Sequence, residues 1–550
     1  MSLRSLPWMI VLCCTAPCSA AGITTDFLMD SDPEIRAPDP VVAFDPALKS
    51  LWMEALQRPE ADMQRMAAET IARAHRLGVP DLAAAVPPLE RIVEDRASHP
   101  AARYSAAHAL IVLDSQGSAE KLLGAAETYG SDLRQLVEPA LADWNYQPAR
   151  DLWSKRLNEP LTRRRDLVLA IRGLGRVGET AALPQLLAIV DDTTRRPDLR
   201  LEAAAAAGRI ADSGLDANAE RLAQDTRSPP VSPLCAVRLL ARHASDSARQ
   251  MLLGLAGRPE SAVAAAAMTR LNEIDPALVV PLAEAALRNA DPHVRRQGAT
   301  ALLALPTAER IAPLAELLAD AHPEIRREVC GKLYVLAEQP ELSEAVRNAA
   351  MTVLAADRWQ GQEQAALLLG ALGHKPAAGR MVELLELPRP EQNITAAWAL
   401  RKLAVPETVP AIVDKARRQT QIRMQARTDD IDVQVAHLFE ALGAMGATEA
   451  EPLLLEYVPK QHETGIRSRA AAIWAIGRLR EGMPDTELAD ALDGRINDFD
   501  DKFPDHTIVK QLCVVTLVRM GAVDRAPMFR DLALNVPVPI ELDLTLRWAV

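Results

Sequence analysis

ADPHVRRQGATALLALPTAERIAPLAELLADAHPEIRREVCGKLYVLA, residues 290–337, states one pattern twice. Pro292-His293-Val294-Arg295-Arg296 returns 31 residues later as Pro323-Glu324-Ile325-Arg326-Arg327, and an apolar run follows each copy. Another apolar run, residues 310–319, separates them. Asp291 can accept from the free amides of a helix that starts at Pro292, where a missing N–H costs nothing. Val294, Gly298, Ala301, Leu302 and Leu305 then share one helical face, as Ile325, Val329, Lys332, Leu333 and Leu336 do one repeat later. Working outward, Pro197, Pro229, Pro259, Pro292 and Pro323 are spaced 32, 30, 33 and 31. A fixed period of this length marks a stacked array in which each short helix pair completes its core against its neighbours. The expected fold is all-α, an α-solenoid of about fourteen stacked helix pairs over residues 46–533.

The spacing D-P-x-V-R-x-x-x-x-x-A-L, carried by Asp291, Val294, Arg295, Ala301 and Leu302, resembles the HEAT-repeat superfamily. In particular it resembles the short bacterial repeats first named from phycobilisome lyases. The resemblance implies that the arginine after the apolar anchor bonds an acidic group or a carbonyl in the adjacent turn. Arg103, Arg164, Arg200, Arg295, Arg326 and Arg467 take that place here, and Gln362, Asn393 and Asp432 interrupt the series.

Residues 1–21 read as a secretory signal: Arg4 gives the positive start, residues 6–14 the apolar stretch, and Cys18-Ser19-Ala20-Ala21 a small-residue cleavage site. A lipoprotein signal would need a small residue where Pro17 stands. The apolar stretch is too short to span a bilayer, and no later segment is long and apolar enough to do so. The expected location is periplasmic or secreted. Residues 22–45, rich in Pro and Asp, read as an extended lead-in. Residues 534–550 read as a C-terminal cap or strand-like tail, because Val538, Ile540, Leu542, Leu544 and Leu546 alternate. With residues 1–21 removed, 61 basic residues face 74 acidic ones, a net charge of −13. That balance argues against nucleic acid as a partner. Cys235, Cys330 and Cys513 are scattered in apolar runs and read as core residues, not a disulfide framework.

Motifs for chemistry are absent. There is no H-x-x-x-H, H-E-x-x-H, C-x-x-C or C-x-x-C-H spacing, so no metal, cofactor or catalytic residue is assigned. Asp498, Asp500 and Asp501 fail the calcium-loop pattern, which needs glycine at its sixth position and Glu where Val509 stands. The expected function is that of an exported, non-enzymatic scaffold for another protein. The alternatives are a cofactor-handling or lyase-type accessory enzyme and a subunit of a secreted redox complex.

Aligning Leu403 and Leu442 with Leu305 sets Trp398 and His437 off the buried stripe, at the register of Thr300, with Arg401 nearby. The charged stretch 415–432 adds Arg417, Arg418, Arg423 and Arg427. Tryptophan beside arginines is the composition of binding hot spots, and in an acidic chain such a patch suits an acidic partner.

Overall fold

The computed structural model describes residues 23–36, 45–225, 230–426, 428–499 and 503–550. The expected signal, residues 1–21, lies outside them, as do Arg427, Asp500 and Asp501. Among the described residues there are α-helices, short 3-10 turns and no strand, so the chain is an all-α solenoid. It divides into two compact units, Pro40–Ala301 and Leu302–Val550, the second joined by the chain up to Asp39. In the first unit, second helices such as Ala61–Arg76, Pro100–Val112 and Ser131–Asp143 pack in succession, burying Ala68, Ile71, Ala106 and Leu110. In the second, the successive second helices used below are α1 (Pro390–Leu403), α2 (Asp429–Met445), α3 (Ile466–Leu479) and α4 (Thr507–Met520), and α4 packs on the terminal α5 (Ile540–Ala549).

One donor recurs in both units. The fourth residue of a second helix reaches back to carbonyls at the end of the helix before it. Arg103 donates to the Asp95 and Ser98 carbonyls at 2.7 and 3.0 Å, and Arg134 to those of Ala126 and Glu127 at 3.0 and 3.2 Å. Arg200 meets the Val190 carbonyl at 2.8 Å, Arg295 that of Ala290 at 2.8 Å and Arg326 that of Asp320 at 2.8 Å. A helix end leaves unpaired carbonyls and a partial negative charge, which a cationic donor satisfies together.

Gln362 and Asn393 do the same work without charge, donating to the carbonyls of Ala356 at 2.7 Å and Leu387 at 2.8 Å. The two amides therefore continue the series that they were expected to interrupt. Two expected members do not belong to it. Arg164 is the first residue of its helix, half exposed, and pairs with Asp198 at 3.4 Å. In α3 the fourth residue is Arg469, which donates to the Gln461 carbonyl at 2.9 Å, whereas Arg467 sits two residues too early.

Three further expectations change. The alternating C-terminal run is helical, because Leu542 and Leu546 are four apart and fit either period, and Thr545 completes a buried helical face. Ile540, which a strand would bury, is 66% exposed. The stretch after Lys415 continues one helix, Val409–Ala426, burying Ala416, Thr420 and Arg423 at helical spacing. Leu305, taken as a face residue, lies beyond the helix end at Ala304 and is 38% exposed. Cys235, Cys330 and Cys513 are buried and unpaired, and burial pushes their thiols up to about 11, 12 and 12.

Register predicts consequence. Arg200→Ala leaves buried carbonyl and hydroxyl groups without their donor and should cost about 2–3 kcal/mol, whereas Arg164→Ala should stay within about 0.5 kcal/mol. Chemical denaturation of the two variants measures the difference, and equal losses would refute the fourth-residue rule.

Candidate peptide-docking surface

Counted from their helix starts, Trp398, His437 and Trp474 each stand ninth in α1, α2 and α3. The same count that drew attention to the first two also finds Trp474, which sequence reading missed. Trp398 and Trp474 pack closely on the preceding second helices because those carry glycine there: a Cβ on Gly370 or Gly443 would stand 2.9 or 2.8 Å from the ring.

The expectation that Trp398, Arg401 and His437 stand clear of the buried stripe is corrected. They are 2%, 5% and 0% exposed. What covers them is the chain's own residues 23–36, an extended run with one 3-10 turn at Leu28–Asp30. Asp26 Oδ1 accepts from Trp398 Nε1 and Arg401 Nη2, both at 2.7 Å, and Oδ2 accepts from Lys402 at 3.3 Å. Phe27 stacks on the His437 ring at 4.4 Å between centroids, with the Arg467 guanidinium over it at 4.7 Å. The Met29 amide donates to Glu440 Oε1 at 2.8 Å. Arg467 meets Asp30 at 2.8 Å, while Trp474 Nε1 and Arg519 meet the two oxygens of Asp32 at 3.1 and 2.6 Å. The segment thus crosses α1 to α4 in order, with contacts on every helix.

Glu440 is the buried hinge of this arrangement. Its second oxygen accepts from Arg401 at 3.1 Å and faces His437 Nδ1 at 3.4 Å. Burial lowers the His437 pKa more than Glu440 raises it. Removing the segment would exchange its contacts with Glu440 Oε1 and Arg401 Nη2 for contacts with water.

Asp432, fourth in α2, cannot donate to carbonyls and works forward instead. It accepts from the Arg467 and Ser468 amides at 3.0 and 2.8 Å and from the Ser468 hydroxyl at 2.6 Å. It thereby caps α3 from the neighbouring repeat. Gly465 makes room, with φ +84 and a would-be Cβ 2.1 Å from Asp432 Oδ1.

Among the described residues, the other basic side chains proposed from sequence, Arg417, Arg418 and Arg423, have no contact with residues 23–36 on this surface, and Arg427 lies outside the described residues. Arg418 pairs with Glu386 and Asp414 at 2.7 and 3.0 Å, Arg417 is exposed, and Arg423 is buried. Sequence reading also missed Glu440, Lys402, Arg519 and the aspartates of residues 23–36. Their partners lie hundreds of positions away, and nothing periodic marks them. Among the described residues no group of three or more His, Cys, Asp or Glu side chains is placed to hold a metal ion, and no helix is long and apolar enough to cross a membrane.

No known sequence family matches the chain, and no curated protein matches it. Solved structures do. A structure of Kap95p with RanGDP is similar over 92% of this chain and 71% of that one, at 13% identity and TM-score 0.52. Yeast importin-beta (Kap95p) matches over 92% and 72%, at 13% identity and TM-score 0.46. The first likeness shows a shared fold, an all-α helical solenoid.

Burial alone would raise the Asp26 carboxyl, but the Trp398 hydrogen bond and the Arg401 and Lys402 charges outweigh it and hold it at about 2. A depressed carboxylate contributes fully above its ordinary value of 3.8 and loses that contribution as pH falls toward 2. With half the side chain in solvent, screening leaves about 1 kcal/mol. Hydrogen exchange at the Met29 amide, corrected for intrinsic rate, should stay slow at pH 5 and accelerate between 3.8 and 2. In Asp26→Asn that step should vanish, with protection at pH 7 already reduced about 3- to 10-fold. An unchanged profile would contradict the docking geometry.

Proposed function

We propose that this chain is an exported, non-enzymatic scaffold that binds another protein along α1 to α4. The observation that carries the reading is the extended segment already held there. Each of the four successive second helices supplies contacts to a run of chain, through tryptophan N–H groups, guanidinium groups and a buried carboxylate. This is how a repeat surface recognises a peptide. Export rests on the pattern of residues 1–21. Removing them leaves residues 23–36 as the leading arm of the mature chain. The repeats resemble the short bacterial type, carried by the spacing around Asp291 and Arg295.

Affinity purification from the native envelope fraction tests the scaffold reading. A stoichiometric protein partner should co-elute with the unaltered chain and be reduced at least tenfold by Arg467→Ala with Arg519→Ala, at unchanged helical content. Retention of the partner by that variant would move the site elsewhere. Intact mass should show loss of residues 1–21, and a chain that keeps Arg4 would contradict export by this route.

A further inference from the structure

The surface of α1 to α4 is more completely built than the segment that lies on it. Arg401, Glu440 and His437 are buried. Above them, the side chains of Asp26, Asp30 and Asp32 keep 51%, 43% and 31% of their area in solvent. A cavity of about 210 Å3 stays open between Met29, Pro33 and Ile35 on one side and Leu512, Val515 and Leu544 on the other, with Gln511 and Glu541 at its wall. The docked run therefore satisfies the charges of the groove without filling its end beside α4 and α5.

We propose that residues 23–36 are a displaceable stand-in, and that α1 to α4 receive an acidic extended segment of a partner protein. The chemistry of that segment is written in the contacts: a carboxylate for Trp398 and Arg401, then an aromatic residue for the gap between His437 and Arg467. Two further carboxylates follow, four and six residues after the first, for Arg467 and for Trp474 with Arg519. A bulkier apolar side chain beyond them would enter the open cavity. This rests on the scaffold reading above and names the partner's chemistry. A second copy of the chain is the poorer occupant. Its arm is identical and gains no contact, while the resident arm competes at the high effective concentration of a tethered ligand. Displacement requires a segment that fits better, and the cavity provides the means.

Fluorescence anisotropy on the full chain tests this with a labelled synthetic peptide, ITTDFLMDSDPEIR, the sequence of residues 23–36. The unaltered chain should bind it weakly. The variant Asp26→Asn, Phe27→Ala, Asp32→Asn, altered outside the helices, should bind it at least tenfold more tightly. A peptide with its three aspartates replaced by asparagine should lose at least tenfold, and one with tryptophan in place of its final isoleucine should gain. Equal affinity for both chains would overturn the displacement proposal while leaving the scaffold reading intact. No binding to the variant would overturn the acidic-segment site itself, whatever partner the affinity purification finds. Phe27→Ala alone serves if the triple variant loses helical content. A concentration-dependent dimer in light scattering that the variant lacks would assign the groove to a second copy and overturn the partner proposal.

Discussion

A donor four residues into the second helix, closing the carbonyls at the end of the first, sets the geometry from which the rest follows. In the pairs that carry it, it ties the start of the second helix to the end of the first, and successive second helices pack on one another. Arg200 shows the reach of the contact: 1% exposed, it ties the Val190 carbonyl to Ser232 of the following repeat. The same position accepts arginine, glutamine, asparagine and, in α4, lysine, where Lys510 donates to the Asp498 carbonyl, because the need is for an N–H at the right distance. Charge adds to it through the helix dipole but is not required.

The docking surface arises where this rule is bent. Asp432 inverts the polarity of its position and caps α3 instead of closing the helix before it. In α3 the closing donor is Arg469, so Arg467, two residues earlier, is available to cover Phe27 and pair with Asp30. Ninth-position aromatic rings on three successive helices then form a row, seated on Gly370 and Gly443. Glu440 links that row to the backbone of the incoming segment through the Met29 amide. Four helices that differ little in backbone thus become a surface with a direction.

The repeat was legible in the sequence because its signals are local: proline at the helix start, small and branched residues at helical spacing, an arginine after the anchor. The ladder was read two residues out of register at Arg467 because α3 starts at Ile466 with no proline to mark its first residue. The C-terminal run looked like a strand because Leu542 and Leu546 satisfy two periods and only Thr545, a polar residue, distinguishes them. Trp398, Arg401 and His437 could be singled out by register, but their burial could not. What covers them comes from residues 23–36, and no local pattern pairs Asp26 with Arg401 or Asp32 with Arg519 across 375 and 487 positions.

The central claim is that residues 23–36 lie across α1 to α4 of their own chain. A photoreactive benzoylphenylalanine at Phe27 reads that placement directly. Its ring would sit between His437 and Arg467, so illumination of the monomer should give intramolecular cross-links to peptides from α2 and α3. Cross-links confined to other repeats, or none above background in the folded monomer, would contradict it.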